Sequence, residues 1–297
     1  LKTHTEEEVV ELIKKRIDGL RLLKQTLGEE QINYQELGGY ELFPETEATL
    51  FQECLTQREH INQLLTPIFN ANVFSLRDNE FQFKNIKEQY IFNQFEGQID
   101  TGNMMNALLS KVQSKGVKIL NNVTVESYMD RLDSVQLKCN LFDFSTSKLL
   151  VATNGFASQL ITLNVKPARA QVLITKPIKD LYIKGTFHLD RGYYYFRNID
   201  DRILFGGGRN LDFSAEETTA FSQTALVQNK LEDLLKTTIL PDTPFEIEHR
   251  WSGIMGIGNQ KKAIVKQVNN NVFCGVRLGG MGVAIGSLVG KELADLV

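Results

Sequence analysis

The 297 residues carry a formal net charge of −3, with 42% apolar and 23% charged side chains, which is material for about two domains and a sizeable core. With no basic run or basic face that balance excludes nucleic-acid binding as the main task, and no stretch approaches the ~18 apolar residues of a membrane span. Three distant cysteines (Cys54, Cys139, Cys274) and four scattered histidines (His4, His60, His188, His249) form neither a disulfide framework nor a zinc spacing, so a reducing, cytoplasmic setting and no metal are expected.

The chain opens Leu1-Lys2-Thr3-His4-Thr5 and turns acidic and helical at once, unlike a signal peptide. A first residue that is Leu rather than Met reads as a fragment. Thr5 with Glu8 has the spacing of a capping box, and Val9, Leu12, Ile13, Ile17 and Leu20 predict a helix to about Leu27, ended by Gly28. A glycine-led strand is expected from Leu37 to Phe43, a second helix from Thr46 to Leu65, and short strands and loops from Asn70 to Phe95. From Gly97 the pattern predicts a strand at Ile99, a helix over 103–114 capped by Asp100 or Thr101 and ended by Gly116, and strands at 117–120 and 123–126. That is the β-α-β crossover of a parallel sheet.

Strands are expected at 135–144 and 148–152, the latter running into the turn Thr153-Asn154-Gly155. Four strand candidates follow, at 170–175, 187–189, 192–197 and 202–208, then a helix over 214–235 and a strand over 245–251 returning toward the parallel sheet. Tyr193, Tyr194 and Tyr195 alternate across a strand, so Tyr194 faces opposite to the other two. One side lines a cleft, or the aromatic face packs on the core. An apolar strand, 271–276, then enters Gly279-Gly280-Met281-Gly282, and Val283, Ile285, Leu288, Val289 and Leu293 fall at helical spacing.

Gly280-x-Gly282-x-x-x-Gly286 is not a nicotinamide fingerprint, which needs a further strand and an acidic residue about 20 positions on. Only the residues after Gly286 to Val297 remain. Two readings stand for this segment alone: a turn packing a terminal helix, or a backbone surface and helix start that meet a ligand.

In order and spacing, GQIDTGNMMNALLSKVQSKGVKI with VTV, LLVATNGFAS, KPARAQVLIT, YYYFRNIDDRILFGGG, RWSGIMG and GVRLGGMGVAIGSLVGKELADL resemble the FAD-dependent oxidoreductases of the D-amino-acid oxidase and glycine oxidase superfamily. The resemblance covers about residue 98 to the end. It implies an α/β, two-domain fold, in which a discontinuous FAD/NAD(P)-binding-type parallel-sheet domain (98–165 and 245–297) carries an inserted antiparallel substrate domain (166–244), with residues 1–97 largely on the substrate or cap side. It implies FAD as cofactor and oxidation of a small amine or amino acid to an imine by hydride transfer, with oxygen or a quinone as acceptor. Carried over residue by residue, Val123 matches the adenine-edge position, Thr153 and Gly155 the turn beside the cofactor, and Gly279, Gly280, Met281, Gly282 and Val283 the flavin-facing turn, with Gly253 of RWSGIMG also on the cofactor side. No catalytic acid or base is required, because the cofactor carries the hard step.

Two departures qualify the resemblance. The family's opening strand-GxGxxG-helix, which grips the FAD pyrophosphate, has no counterpart here, so an N-terminal piece is expected to be missing. Met255 stands where glycine-oxidase-like members carry an Arg for the substrate carboxylate, and a thioether cannot form that pair. Either the substrate lacks a carboxylate or another cation serves. Arg277, Arg250 and Arg197 are the candidates, alongside Tyr194 and Met255 itself as substrate-facing residues. Arg277 could equally be held structurally, and Arg250 is expected to pair with an acid at a domain seam. The rival reading is a binding or assembly protein on the same fold that has lost FAD.

Overall fold

The computed structural model describes residues 4–297. In chain order the elements are helix α1 (Glu6–Leu27), strand β1 (Gly39–Leu42), helix α2 (Ala48–Phe69), strands β2 (Phe74–Asp78) and β3 (Gln89–Asn93), and helix α3 (Thr101–Ser114). Strands β4 (Val125–Asp130), β5 (Val135–Cys139), β6 (Asp143–Thr146) and β7 (Leu149–Val151) follow. Then come β8 (Lys166–Thr175), β9 (Thr186–Leu189), β10 (Tyr194–Ile199) and β11 (Arg202–Gly207). Helix α4 (Ala225–Leu234), strands β12 (Ile247–Ile257), β13 (Ile264–Gln267) and β14 (Val272–Val276), and helix α5 (Gly282–Ala294) complete the chain. None of the described helices is long and apolar enough to cross a membrane.

The dominant layer is an eight-stranded sheet in the order β12-β8-β11-β10-β9-β1-β3-β2, antiparallel except for the parallel pair β1·β9. Its core side is built by one cross-strand row: Tyr40, Phe187, Phe196, Phe205 and Leu173 oppose one another on successive strands. Stacking follows directly, with Phe187 and Phe196 at 4.5 Å between centroids and Tyr40 and Phe187 at 4.9 Å. Val227 and Leu231 of α4, with Leu235 and Ile239 of the π-turn after it, cover this side. Because strand side chains alternate, the opposite side of the sheet carries Glu41, His188, Tyr195, Arg197, Val172 and Trp251.

A smaller sheet, β13-β14-β7, contains the parallel pair β14·β7, and the meander β4-β5-β6 packs against it through Val135. All five residues of β14 are buried. Helix α1 has its capping box: Glu8 N–H donates to Thr5 Oγ1 at 3.3 Å and Thr5 N–H to Glu8 Oε2 at 3.2 Å. It packs on α5 at Gly19, where a Cβ would stand 2.1 Å from the Ala284 carbonyl oxygen, so only glycine permits that crossing.

The expected α/β class holds, the main sheet found here being mixed, and five local expectations are corrected. Residues 117–120 form no strand and expose Val117 and Leu120, since no strand among the described residues lies beside them. β4 pairs antiparallel with β5, so the β-α-β crossover over 99–126 is not formed. The 135–144 segment is two strands, β5 and β6. Residues 214–224 are not helical because Glu216 is held by Arg169 and Gln171 of β8, and α4 starts only where Thr224 accepts from Val227 N–H. Of the 245–251 segment, the residues from Ile247 on belong to β12, which adds to the edge of the large sheet beside β8 rather than to the parallel pair.

Candidate functional site: a glycine corner facing a sheet

β14 ends in a sharp reversal. Arg277, Gly279 and Gly280 have φ of +63°, +59° and +81°, a conformation costly for residues with a Cβ. Met281 then precedes α5 without any side-chain cap. The N–H groups of Gly282, Val283 and Ala284 have no acceptor among the described residues, as expected of a first turn. No atom lies within 4 Å of a Cβ built on Gly279. The result is a backbone surface open above Gly279, with the Met255 sulfur beside Gly280, ending in three donors without an acceptor among the described residues, which suits a planar ligand that gathers negative charge.

The β7 turn joins this corner. Asn154, at φ +47°, accepts the Leu278 N–H on its Oδ1 at 3.1 Å. Gly155 is required by β12, whose Met255 carbonyl oxygen would be 2.6 Å from its Cβ. Gly256 meets Asn154 in turn, and Gly279 N–H donates to Gly256 O at 3.0 Å. The ends of β7, β12 and β14 are therefore one unit, with Thr153 at its rim. Asn154 is not among the site residues expected from sequence, because its bridging role has no local signature.

From this corner β12 runs along the sheet with Met255, Gly253 and Trp251 on one side. A Cβ on Gly280 would meet Met255 Sδ at 3.5 Å, Gly253 faces open space, and Trp251 is 39% exposed. The same row crosses the sheet through Val172 and Gly206 to Tyr195, His188 and Glu41. The Tyr195 ring lies over Gly206, whose Cβ would be 2.8 Å from it, and burial pushes its hydroxyl pKa up. His188 stands between Glu41 and Glu96, 3.6 Å from each. Burial pulls its pKa down, but the two carboxylates outweigh that and raise it. Alternation with buried Phe187 and Leu189 is the sequence signal that could have singled it out.

The expected site residues divide. Tyr194 lies on the core side, 4% exposed, its pKa pushed up to about 12 by burial and the nearby Asp190. Arg250 turns to α4, donating to Gln228 Oε1 at 2.6 Å and Glu232 Oε1 at 2.5 Å. Arg277 folds away from the glycines to the carbonyls of Lys262 (2.9 Å) and Asn164 (3.3 Å), and burial lowers its pKa. Val123 is in the loop before β4, and no described contact brings it to the corner. Arg197 alone of the three arginines stays on the Tyr195 side without a hydrogen-bonded partner among the described residues, half-buried with Asp100 as its counter-charge. No cluster of metal-ligating side chains occurs among the described residues.

The sequence model of the DAO family, FAD dependent oxidoreductases, matches residues 2–296. A search of curated proteins returns no match. Among solved structures, glycine oxidase from Bacillus cereus superposes with a TM-score of 0.79 at 13% identity, covering 96% of this chain and 80% of that one. Glycine oxidase from Geobacillus kaustophilus gives 0.77 at 17% identity, covering 97% and 78%. L-proline dehydrogenase from P. horikoshii gives 0.75 at 17% identity, covering 96% and 78%. At such identities the likeness establishes the fold.

Proposed function

The chain belongs to the DAO family of FAD-dependent oxidoreductases, and from that premise we propose that it oxidises a small amine or amino acid to an imine with FAD seated at the glycine corner. When bound, FAD supplies the two-electron acceptor for the hydride removed from the amine-bearing carbon. The observation that carries the reading is the uncovered backbone of Gly279 and Gly280 leading into the uncapped start of α5 and closed on one side by Met255. There the N–H groups of Gly282, Val283 and Ala284 would stabilise negative charge on a bound flavin, by about 0.3–2 kcal/mol. Thr153 and Gly155 hold the second wall, Gly253 leaves room along β12, and Val123 is assigned to the adenosine end.

We assign 98–165 with 245–297 to the cofactor-holding part and 166–244 to the substrate platform, with 1–97 on the cap side. β12 joins the two parts, since it is hydrogen-bonded into the platform and its end closes the corner. Trp251, Met255 and Tyr195 line the substrate space, and Met255 leaves no guanidinium beside the reacting carbon. Oxygen or a quinone serves as acceptor.

The test is spectroscopic. Full-length protein should be yellow, and anaerobic addition of primary and secondary amines should bleach the visible flavin band. A colourless preparation that FAD does not reconstitute sinks the proposal and leaves a binding or assembly protein on this fold.

A further inference from the structure

One side chain crosses the glycine corner, and it belongs to a residue whose own backbone is left-handed. Asn154 follows β7 at φ +47°, a conformation that asparagine adopts more readily than most residues with a Cβ. Its Oδ1 accepts the Leu278 N–H at 3.1 Å, across 124 positions of chain. Room for the amide comes from β12, where a Cβ on Gly256 would stand 2.5 Å from Asn154 Oδ1 and 3.1 Å from its Cγ. The Gly256 carbonyl in turn accepts the Gly279 N–H at 3.0 Å. Among the described residues no other side chain hydrogen-bonds to the backbone of 277–284.

The main chain continues this contact into α5. Leu278, whose N–H Asn154 holds, accepts the Met281 N–H on its carbonyl at 2.9 Å, and the Met281 carbonyl accepts the Ile285 N–H at 3.1 Å. Asn154, Leu278, Met281 and Ile285 thus form an unbroken hydrogen-bonded path from the end of β7 to the first turn of the helix. Met281 supplies no side-chain cap, so no nearer side chain fixes the helix start. The backbone is left-handed on both sides of the bond, at Asn154 and at Arg277 (φ +63°). Such conformations persist where surrounding contacts over-determine them, and they gather at ligand sites. Here the contacts are those of Arg277 with the Lys262 and Asn164 carbonyls and of Leu278 with Asn154.

We propose that Asn154 is a positioning residue for the flavin: its amide fixes the 277–281 turn, and through that turn the direction in which α5 presents its first N–H groups. The inference rests on the seating of FAD at the glycine corner. Asn154 acts through Leu278 and needs no contact with ring or substrate. Loss of its acceptor weakens reduced, anionic FAD more than oxidised FAD, because a helix start stabilises negative charge and only the reduced ring brings it. A side chain that merely braced the fold would weaken both forms alike.

The test is the midpoint potential of the flavin bound to the full-length protein, read beside the dissociation constant of oxidised FAD, for wild type and Asn154→Gly. Glycine removes the acceptor while relieving the left-handed φ, so it separates the hydrogen bond from backbone strain. In the variant, oxidised FAD should bind about threefold more weakly and reduced FAD about thirtyfold more weakly. That tenfold change in their ratio lowers the two-electron potential by about 30 mV. An unchanged potential overturns the proposal, whether or not affinity falls, because Asn154 then braces the fold alone. Should Asn154→Gly not fold, amide hydrogen exchange on the wild-type holoprotein decides. A Leu278 N–H protected at least about tenfold beyond an unbonded turn amide supports the proposal, and unprotected exchange overturns it. Wild-type protein that takes up no FAD removes the seating and this inference with it. Wild type that holds FAD but is bleached by no amine removes the oxidase reading alone, since affinity and potential are read with dithionite and without substrate.

Discussion

Substituting Gly280→Ala separates backbone strain from ligand contact. Gly280 sits at φ +81°, and its new methyl would lie 3.5 Å from Met255 Sδ, an ordinary contact. No clash is created, so the stability cost is that of placing alanine in the left-handed region, about 1–2 kcal/mol. Gly116, after α3, is a matched control: φ is +78° and no atom lies within 4 Å of its Cβ. Both variants should therefore lose a similar few degrees in Tm, at about 2–4 °C per kcal/mol. They should differ in flavin. A methyl on the surface against which the ring lies should lower the flavin retained after desalting by about tenfold, equivalent to 1.4 kcal/mol, while Gly116→Ala retains it as wild type does. The assay is the ratio of visible flavin absorbance to protein, read beside melting curves. Equal retention by both variants at equal stability would show that no ring lies on Gly280, and the proposed seating would fall.

Glu216→Gln should cost about 3–5 kcal/mol, because it leaves the buried Arg169 guanidinium without a charged partner; the pair is 6% and 1% exposed. Melting temperature and limited proteolysis within 212–224 would show it, and a loss below about 1 kcal/mol would contradict the assigned role of the pair. For His188, the carboxylates of Glu41 and Glu96 hold the folded pKa above the ordinary 6.5 although burial opposes them. Its contribution to stability is therefore complete below that ordinary value and is lost as pH rises through the raised one. The Tm difference between wild type and His188→Gln should shrink from pH 6 to 8, and a difference that grows would reverse the assignment. Tyr195→Phe should alter kcat/KM for amines with an unchanged melt, whereas Tyr194→Phe, on the core side, should leave kcat/KM alone; the reverse outcome would exchange the two faces of β10.

What could be read in advance was local and periodic. The capping box of Thr5 and Glu8 is a spacing, and the opposition of Tyr194 to Tyr195 is a period of two; both are realised. The features that escaped depend on contacts distant in the chain. Residues 117–120 have strand composition, but a strand exists only beside another. The 214–224 stretch carries helix-compatible residues, yet the Arg169 fork takes Glu216 from 47 positions away, and tertiary pairing overrides local preference. For Arg277 the sequence left a site role and a structural one equally open. Its left-handed backbone turns the side chain back into carbonyls 15 and 113 residues distant.

The same distinction decides how the glycines act, since a sequence shows only that they lack a side chain. Gly155, Gly256 and Gly19 are glycine because another part of the chain already occupies the space a Cβ would need; their conformational freedom is incidental. Gly279 and Gly280 are glycine because the backbone turns left-handed there, and the space above Gly279 is empty. The first group draws β7, β12 and β14 into contact and so makes the corner rigid. The second group then presents that rigid backbone, open above Gly279, beside three N–H groups with no acceptor among the described residues. Preorganisation of this kind is what a flat ligand changing charge requires, because neither the donors nor the surface need to move when the charge arrives. A loop of equally many glycines without the Gly155 and Gly256 approaches would be flexible, and would spend on ordering itself the free energy that the fixed corner keeps for binding.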